Sequence, residues 1–142
     1  MIAGKTALIT GSTSGIGLGI AELFAKDGAN IILNGIGDKS DVELLRSGME
    51  EKYGVKVRFQ GADVSNAAAI EAMFGAIEDE FGGVDILVNN AGIQHVAPID
   101  EFPPAKWDAI IAINLSASFH TIRHALPTMK KRHWGRIIQI AS

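Results

Sequence analysis

The sequence predicts an α/β fold: one Rossmann-like domain over residues 1–142, a doubly wound parallel sheet with helices on both faces. Two observations predict this class. Apolar runs of about four to six residues, typical of buried strands, alternate with longer segments whose apolar residues recur at helical spacing. Glycines follow the first run and close several helical segments, as short connections require. The expected order is βαβαβαβαβ.

Each element has its own signal. The first helix carries Ile16, Ile20 and Phe24 on one face and ends at Gly28. Prolines at 103 and 104 fit the first turn of a long fourth helix. The predicted strands cover residues 5–10, 30–34, 57–61, 85–89 and 136–141, and the other helices cover residues 41–53, 66–81 and 103–126.

The composition excludes several classes of function. A net charge of −3 gives no reason to expect binding to nucleic acid or to an anionic membrane. The chain has no cysteine, which excludes disulfides, thiolate zinc sites and a cysteine nucleophile. No signal peptide and no run of about 20 apolar residues is present. We therefore expect a cytoplasmic protein with a small-molecule substrate.

The segment TGSTSGIG, residues 10–17, lies between the first strand and the first helix. Backbone N–H groups at a helix N-terminus bind a pyrophosphate, and glycine lets the phosphates approach. Ser12 is expected to add a hydroxyl donor. No Lys followed by Ser or Thr closes the pattern, so it is not a Walker loop. The alternative is a glycine turn without a ligand. The cofactor residues predicted here are Gly11, Thr13, Ser14, Gly15, Ile16 and Gly17.

Several motifs together resemble the short-chain dehydrogenase/reductase family. The pattern T-G-x-x-x-G-x-G at residues 10–17 is followed by Asp63, by NNAG at residues 89–92, by Asn114 and by Ser142. The order and the spacing of these marks are similar to the family's, and they cover essentially all 142 residues. The resemblance implies a dinucleotide cofactor and hydride transfer.

The resemblance also implies roles for residues of the cofactor site. Asp63 is expected to hydrogen-bond the adenine amino group with Val64 beside the ring, although Asp63 has a second interpretation as the N-cap of the third helix. The cofactor is expected to be NAD, because strand two ends in Asn34, Gly35, Ile36 and Gly37 without a cation for a 2′-phosphate. The residues implied at this end are Ile36, Asp63, Val64, Asn90, Ala91 and Gly92.

For catalysis, the resemblance implies that Asn114 holds a water in a proton relay and that Ser142 hydrogen-bonds the substrate oxygen. The alternative for Ser142 is a serine that merely ends a strand. The family's Tyr-x-x-x-Lys pair would lie past residue 142, and Tyr53 is not a substitute. Losing such a general acid/base typically costs roughly 10²–10⁴-fold in rate. This chain is therefore expected to be an inactive fragment of an enzyme whose full-length form is a homotetramer. The resemblance also implies that the sheet is truncated at its C-terminal end, which leaves the last strand as an apolar edge.

The segments NAGIQH (90–95) and FPPAKWDAIIAINLSASFH (102–120) resemble bacterial 3-hydroxybutyrate dehydrogenases. In that subfamily, the glutamine that matches Gln94 contacts the substrate carboxylate; otherwise it is an exposed loop residue. Two alternatives remain open: a 3-oxoacyl reductase or other short-chain alcohol dehydrogenase of the same family, or a non-catalytic NAD-binding module. His120 and His124 have metal-ligand spacing but no third ligand, so no metal is predicted. The basic cluster 130–136 is expected to complement a helix C-terminus.

Overall fold

The computed structural model describes residues 1–141. Ser142, the predicted catalytic serine, lies outside the described residues. The strands are β1 (Thr6–Ile9), β2 (Asn30–Asn34), β3 (Val57–Gln60), β4 (Ile86–Asn89) and β5 (Arg136–Gln139). The helices are α1 (Gly15–Lys26), α2 (Lys39–Tyr53), α3 (Ala67–Phe81), α4 (Pro104–Ile111) and α5 (Ala117–Arg132). A 3₁₀ turn, Ile99–Glu101, precedes α4, and a π-helical segment, Ala112–Ser116, joins α4 to α5.

The five strands form one parallel sheet in the order β3-β2-β1-β4-β5. Alternate strand residues point to opposite faces of a sheet, so a strand rich in aliphatic residues on both faces needs helices on both. Leu8 and Leu87 pack with α3 and α5 on one face, and Ile9 and Ile31 pack with α1 and α2 on the other. The predicted doubly wound architecture is confirmed.

Caps explain where the helices begin and end. The side chain of Asp38 accepts hydrogen bonds from the backbone N–H groups of Ser40 (2.9 Å) and Asp41 (3.2 Å), so α2 begins two residues before the predicted start. Asn66 caps α3 by accepting from the N–H of Ala69 at 3.1 Å. Gly54 and Gly82 end α2 and α3 in the left-handed conformation, as expected.

The prediction of a single fourth helix over residues 103–126 is wrong in two respects. In the structure, the π-helical segment divides this helix into α4 and α5, and α5 continues past Pro127 to Arg132. Proline removes one intrahelical hydrogen bond, but Ala125 and Met129 on either side are buried in the core. At the end of α5, Arg132 Nη1 lies 2.7 Å from Asp85 Oδ1. These contacts outside the helix outweigh the proline.

β5 is the exposed edge of the sheet, as the sequence predicts. It pairs with β4 only, and all four of its residues are exposed. Ile137 and Ile138 are 38% and 39% exposed, whereas Leu87 and Val88 on β4 are 0% exposed.

Within residues 1–141, no helix is long and apolar enough to cross a membrane.

Candidate functional site

A cleft of about 490 Å³ lies at the carboxyl ends of the strands. The strand order reverses between β1 and β4, and loops that leave those two strands in opposite directions open a crevice between them. All lining residues come from loops after β1, β2, β3 and β4, except two: Asn34, the last residue of β2, and Ile113, in the π-helical segment. The lining residues are Gly11, Thr13, Ser14, Asn34, Gly35, Ile36, Gly61, Ala62, Asp63, Val64, Asn90, Ala91, Gly92, Ile93 and Ile113.

The glycine loop runs from the end of β1 into α1. Gly11 and Gly15 have φ of 61° and 60°, which side chains with a Cβ rarely adopt. Ser14 is the N-cap of α1 but its side chain makes no capping hydrogen bond. The loop therefore presents a helix start whose first N–H groups are not occupied by the capping side chain.

Not all residues predicted for this loop face the cleft. Gly17 packs behind it: a Cβ there would collide with the carbonyl oxygen of Gly11 and lie 2.5 Å from Asn90 Nδ2. Ile16 is 69% exposed, on the first turn of α1. Gly15, Ile16 and Gly17 are not among the lining residues, whereas Gly11, Thr13 and Ser14 are.

The prediction that Ser12 adds a hydroxyl donor to the site is wrong. Its side chain is buried, donates to the carbonyl of Ile9 at 2.7 Å and accepts from the backbone N–H of Asn34 at 3.0 Å. Thr13 instead lies at the cleft, where its Oγ1 donates to the carbonyl of Ile36 at 3.1 Å. These two side chains connect the loop after β1 to the end of β2.

Asp63 follows β3 and lines the cleft. Its Oδ1 accepts hydrogen bonds from Ser65 Oγ (2.7 Å) and from the Ser65 backbone N–H (2.9 Å). These bonds lower the pKa of the Asp63 carboxyl below its usual value, with the Ser65 hydroxyl as the main cause. The N-cap of α3 is Asn66, so the alternative role of Asp63 as that cap is wrong.

The NNAG segment joins β4 to the glycine loop. The backbone N–H groups of Asn90 and Ala91 both donate to Thr10 Oγ1 at 3.0 Å, and Asn90 Nδ2 donates to the carbonyl of Gly11 at 3.0 Å. Asn89 is buried and accepts from Thr121 Oγ1 at 2.7 Å, away from the cleft lining. The segment therefore holds the crevice between β1 and β4 at a fixed width.

Asn114 lies in the π-helical segment and clamps the loop after NNAG. Its Oδ1 accepts from the backbone N–H of Ile93 at 2.9 Å, and its Nδ2 donates to the Ile93 carbonyl at 2.8 Å. An asparagine inside a helix is unfavourable unless its amide has partners, and this pair of bonds supplies them. Gln94, the next residue of that loop, is exposed.

The histidines with metal-ligand spacing have other partners. His124 is half-buried and stacks on Phe74 with ring centroids 5.6 Å apart, and His120 makes an edge contact with Phe119 at 5.2 Å. Within residues 1–141, no three His, Cys, Asp or Glu side chains are grouped to hold a metal ion.

Sequence reasoning noted Asn34 only as the end of strand two. The structure places its side chain, 1% exposed, between the loops after β1 and β3. The signal in the sequence was weak: a polar residue that ends the aliphatic strand NIILN, residues 30–34, does not indicate which loops its side chain will contact.

Comparisons with known proteins agree with this geometry. A family profile described as short chain dehydrogenase matches residues 5–142. The chain is 60% identical over 144 residues to a D-beta-hydroxybutyrate dehydrogenase of Cupriavidus necator, covering 100% of this chain and 54% of the relative. It is 54% identical over 138 residues to a D-beta-hydroxybutyrate dehydrogenase of Rhizobium meliloti, covering 97% and 54%. The chain thus spans about half the length of the curated relatives it matches.

Among solved structures, the chain superimposes on L-sorbose reductase from Gluconobacter frateurii, complexed with NADPH and L-sorbose. The TM-score is 0.94 at 40% sequence identity, and the match covers 99% of this chain and 53% of the reductase. The fold therefore has a counterpart in a protein whose structure includes NADPH.

Proposed function

Because this chain belongs to the short-chain dehydrogenase family, we propose that residues 1–142 form the nucleotide-binding domain of an NAD-dependent (R)-3-hydroxybutyrate dehydrogenase. One observation carries the proposal: the glycine loop, Asp63 and the NNAG segment, distant in sequence, line one cleft at the switch point of the sheet. Bound NAD⁺ would accept a hydride from the carbinol carbon of (R)-3-hydroxybutyrate. Groups of the protein would then have to accept the proton of the substrate hydroxyl.

The residues at the cleft fit a dinucleotide. A Cβ at Gly11 would lie 3.0 Å from the Cα of Ala91, so glycine lets the glycine loop pack closely against the NNAG segment at the cleft. The start of α1 offers N–H donors to a pyrophosphate, beside the hydroxyl groups of Thr13 and Ser14. Asp63 would accept from the adenine amino group with Val64 beside the ring. Asn90, Ala91 and Gly92 would border the ribose and the pyrophosphate, and Gly15, Ile16 and Gly17 would shape the turn beneath it.

The charges support NAD rather than NADP. Among the lining residues only Asp63 is charged, and none is a lysine or an arginine that could pair with a 2′-phosphate. Beyond Ile36, the capping residue Asp38 adds a second carboxylate, whose pKa is lowered mainly by a hydrogen bond from the Ser40 hydroxyl. The L-sorbose reductase is complexed with NADPH, so the likeness in fold does not select NAD, and the proposal of NAD rests on the charges of the lining residues.

For the substrate, we infer that Gln94 donates its side-chain amide to the carboxylate of 3-hydroxybutyrate. Its loop is held to the cleft by the bonds between Ile93 and Asn114. Asn114 would also hold a water in the proton relay, and Ser142 would hydrogen-bond the substrate oxygen. The identity to two D-beta-hydroxybutyrate dehydrogenases supports this substrate over a 3-oxoacyl thioester.

The test is a dehydrogenase assay with (R)-3-hydroxybutyrate and NAD⁺ on the complete product of the reading frame and on the 142-residue chain. NADP⁺ and the (S) enantiomer serve as paired controls. We expect turnover by the complete product with the (R) substrate and NAD⁺, and none by the 142-residue chain alone. A complete product that binds NAD⁺ yet does not oxidise (R)-3-hydroxybutyrate would overturn the substrate, and a preference for NADP⁺ would overturn the cofactor.

A further inference from the structure

Asn34 is the last residue of β2 and makes side-chain hydrogen bonds to two other loops. Its Oδ1 accepts from the backbone N–H of Gly11 at 3.3 Å. Its Nδ2 donates to the carbonyl oxygens of Gln60 (2.9 Å) and Ala62 (3.0 Å). The amide thus uses an acceptor and both donors at once, which a carboxylate or an apolar side chain cannot reproduce.

The main chain of Asn34 strengthens the same junction. Its carbonyl accepts from the backbone N–H of Ser12 at 2.7 Å, and its N–H donates to Ser12 Oγ at 3.0 Å. Gly35 follows with φ of 154°, and a Cβ there would lie 2.8 Å from Thr13 Oγ1. The loops after β1, β2 and β3 therefore meet at a single buried residue.

The three loops joined by Asn34 form one end of the cleft. Gly11, Ala62 and Asn34 itself are lining residues, and Ala62 is followed directly by Asp63. We propose that Asn34 is a positioning residue: it fixes the glycine loop relative to Asp63 and so sets the affinity for the adenosine half of the cofactor. The inference rests on the proposed function, since it assumes that a dinucleotide occupies the cleft.

Asn34→Asp is the informative substitution, because it keeps the shape and the acceptor for Gly11 but removes both donors. The carbonyl oxygens of Gln60 and Ala62 would then face a carboxylate, and the loop that carries Asp63 would lose its two hydrogen bonds from Asn34.

Asp85→Asn is the matched control. Asp85 is also buried and accepts from Thr6 N–H at 2.9 Å and from Arg132, but it lies just before β4, at the opposite end of the sheet.

The experiment measures the Kd of ADP-ribose and of NAD⁺ by calorimetry, with the free energy of unfolding, for the 142-residue chain and both variants. Two lost hydrogen bonds predict that Asn34→Asp weakens both ligands by about tenfold or more. Asp85→Asn is expected to lose stability while both Kd values stay within about twofold of the parent. Equal weakening in the two variants would mean that Asn34 acts only through stability and would overturn the inference.

Other outcomes separate the inference from the function on which it rests. An Asn34→Asp chain that folds and binds ADP-ribose like the parent contradicts the inference alone. A parent chain that binds neither ADP-ribose nor NAD⁺ contradicts the proposed function and the inference with it. If Asn34→Asp does not fold, nuclear magnetic resonance of the parent decides: the Asn34 side-chain amide protons should shift on saturation with ADP-ribose, and unchanged resonances would overturn the inference.

Discussion

The two ends of the cleft are built differently. At the end formed by the loops after β1, β2 and β3, Ser12 and Asn34 are buried at 1% exposure or less and hold these loops together. At the other end, the loop from Ile93 to Pro98 is mostly exposed, with Val96 at 93%, and Asn114 supplies two side-chain hydrogen bonds to it. If the proposed function holds, the first is a preformed cofactor end and the second is a substrate end whose loop is held by Asn114.

The largest effect is expected at the cofactor end, from Gly17→Ala. The new Cβ would collide with the Gly11 carbonyl and with Asn90, so the glycine loop must move or α1 must shift. We expect a loss of about 1–3 kcal/mol in the free energy of unfolding and a large loss of NAD⁺ affinity. Urea denaturation and calorimetry measure the two quantities.

Gly19→Ala is the matched control in the same helix. A Cβ there meets no atom within 4 Å, so the change should be neutral or stabilise α1 by about 0.5–1 kcal/mol through helix propensity. If Gly17→Ala and Gly19→Ala had the same effect, close packing at the glycine loop would not explain the preformed end.

The second effect is expected at the substrate end, from Asn114→Leu. Loss of the two bonds to Ile93 should free the loop, so the backbone amide of Ile93 is expected to exchange with deuterium about tenfold faster. The Kd for ADP-ribose should stay unchanged, because the cofactor end has its own anchors. Leu115→Ala, at a neighbouring residue that is 64% exposed, is the control. If Asn114→Leu also raised the Kd for ADP-ribose, the two ends of the cleft would be coupled.

A smaller effect concerns the two Asp-x-Ser turns, Asp38 with Ser40 and Asp63 with Ser65. In both, the serine hydroxyl is the main cause of a lowered aspartate pKa. Ser65→Ala should raise the pKa of Asp63 toward its usual value and leave that of Asp38 unchanged, as measured by nuclear magnetic resonance titration. A fall in the Asp63 pKa would contradict the assigned hydrogen bonds.

The same turns predict a direction for stability against pH. A carboxyl with a lowered pKa in the folded state stabilises the fold above the pKa that it has in the unfolded chain. That contribution is lost as the pH falls through the folded-state pKa. The stability of the parent should therefore decline in acid, and the decline should be shallower in Ser65→Ala, which urea denaturation at several pH values can measure.

The fold and the position of the cleft could be predicted from the sequence, because their sequence signals are local. Five aliphatic runs gave the strands, and the glycine loop before α1 gave the position of the cleft. Other features depend on residues far apart in the chain. The Asn34 side chain bonds to backbone groups 23 to 28 residues away, and Asn114 bonds to Ile93 at a separation of 21. Pro127 disfavours a helix interior, yet α5 continues through it, because Ala125 and Met129 on either side pack in the core.

Titration of the 142-residue chain with NADH, paired with NADPH, tests the central claim most directly. A preformed cofactor end with no lysine or arginine in its lining predicts saturable binding of NADH, and binding of NADPH that is weaker by about tenfold or more. A folded chain that binds neither nucleotide, or that binds NADPH more tightly, would contradict it.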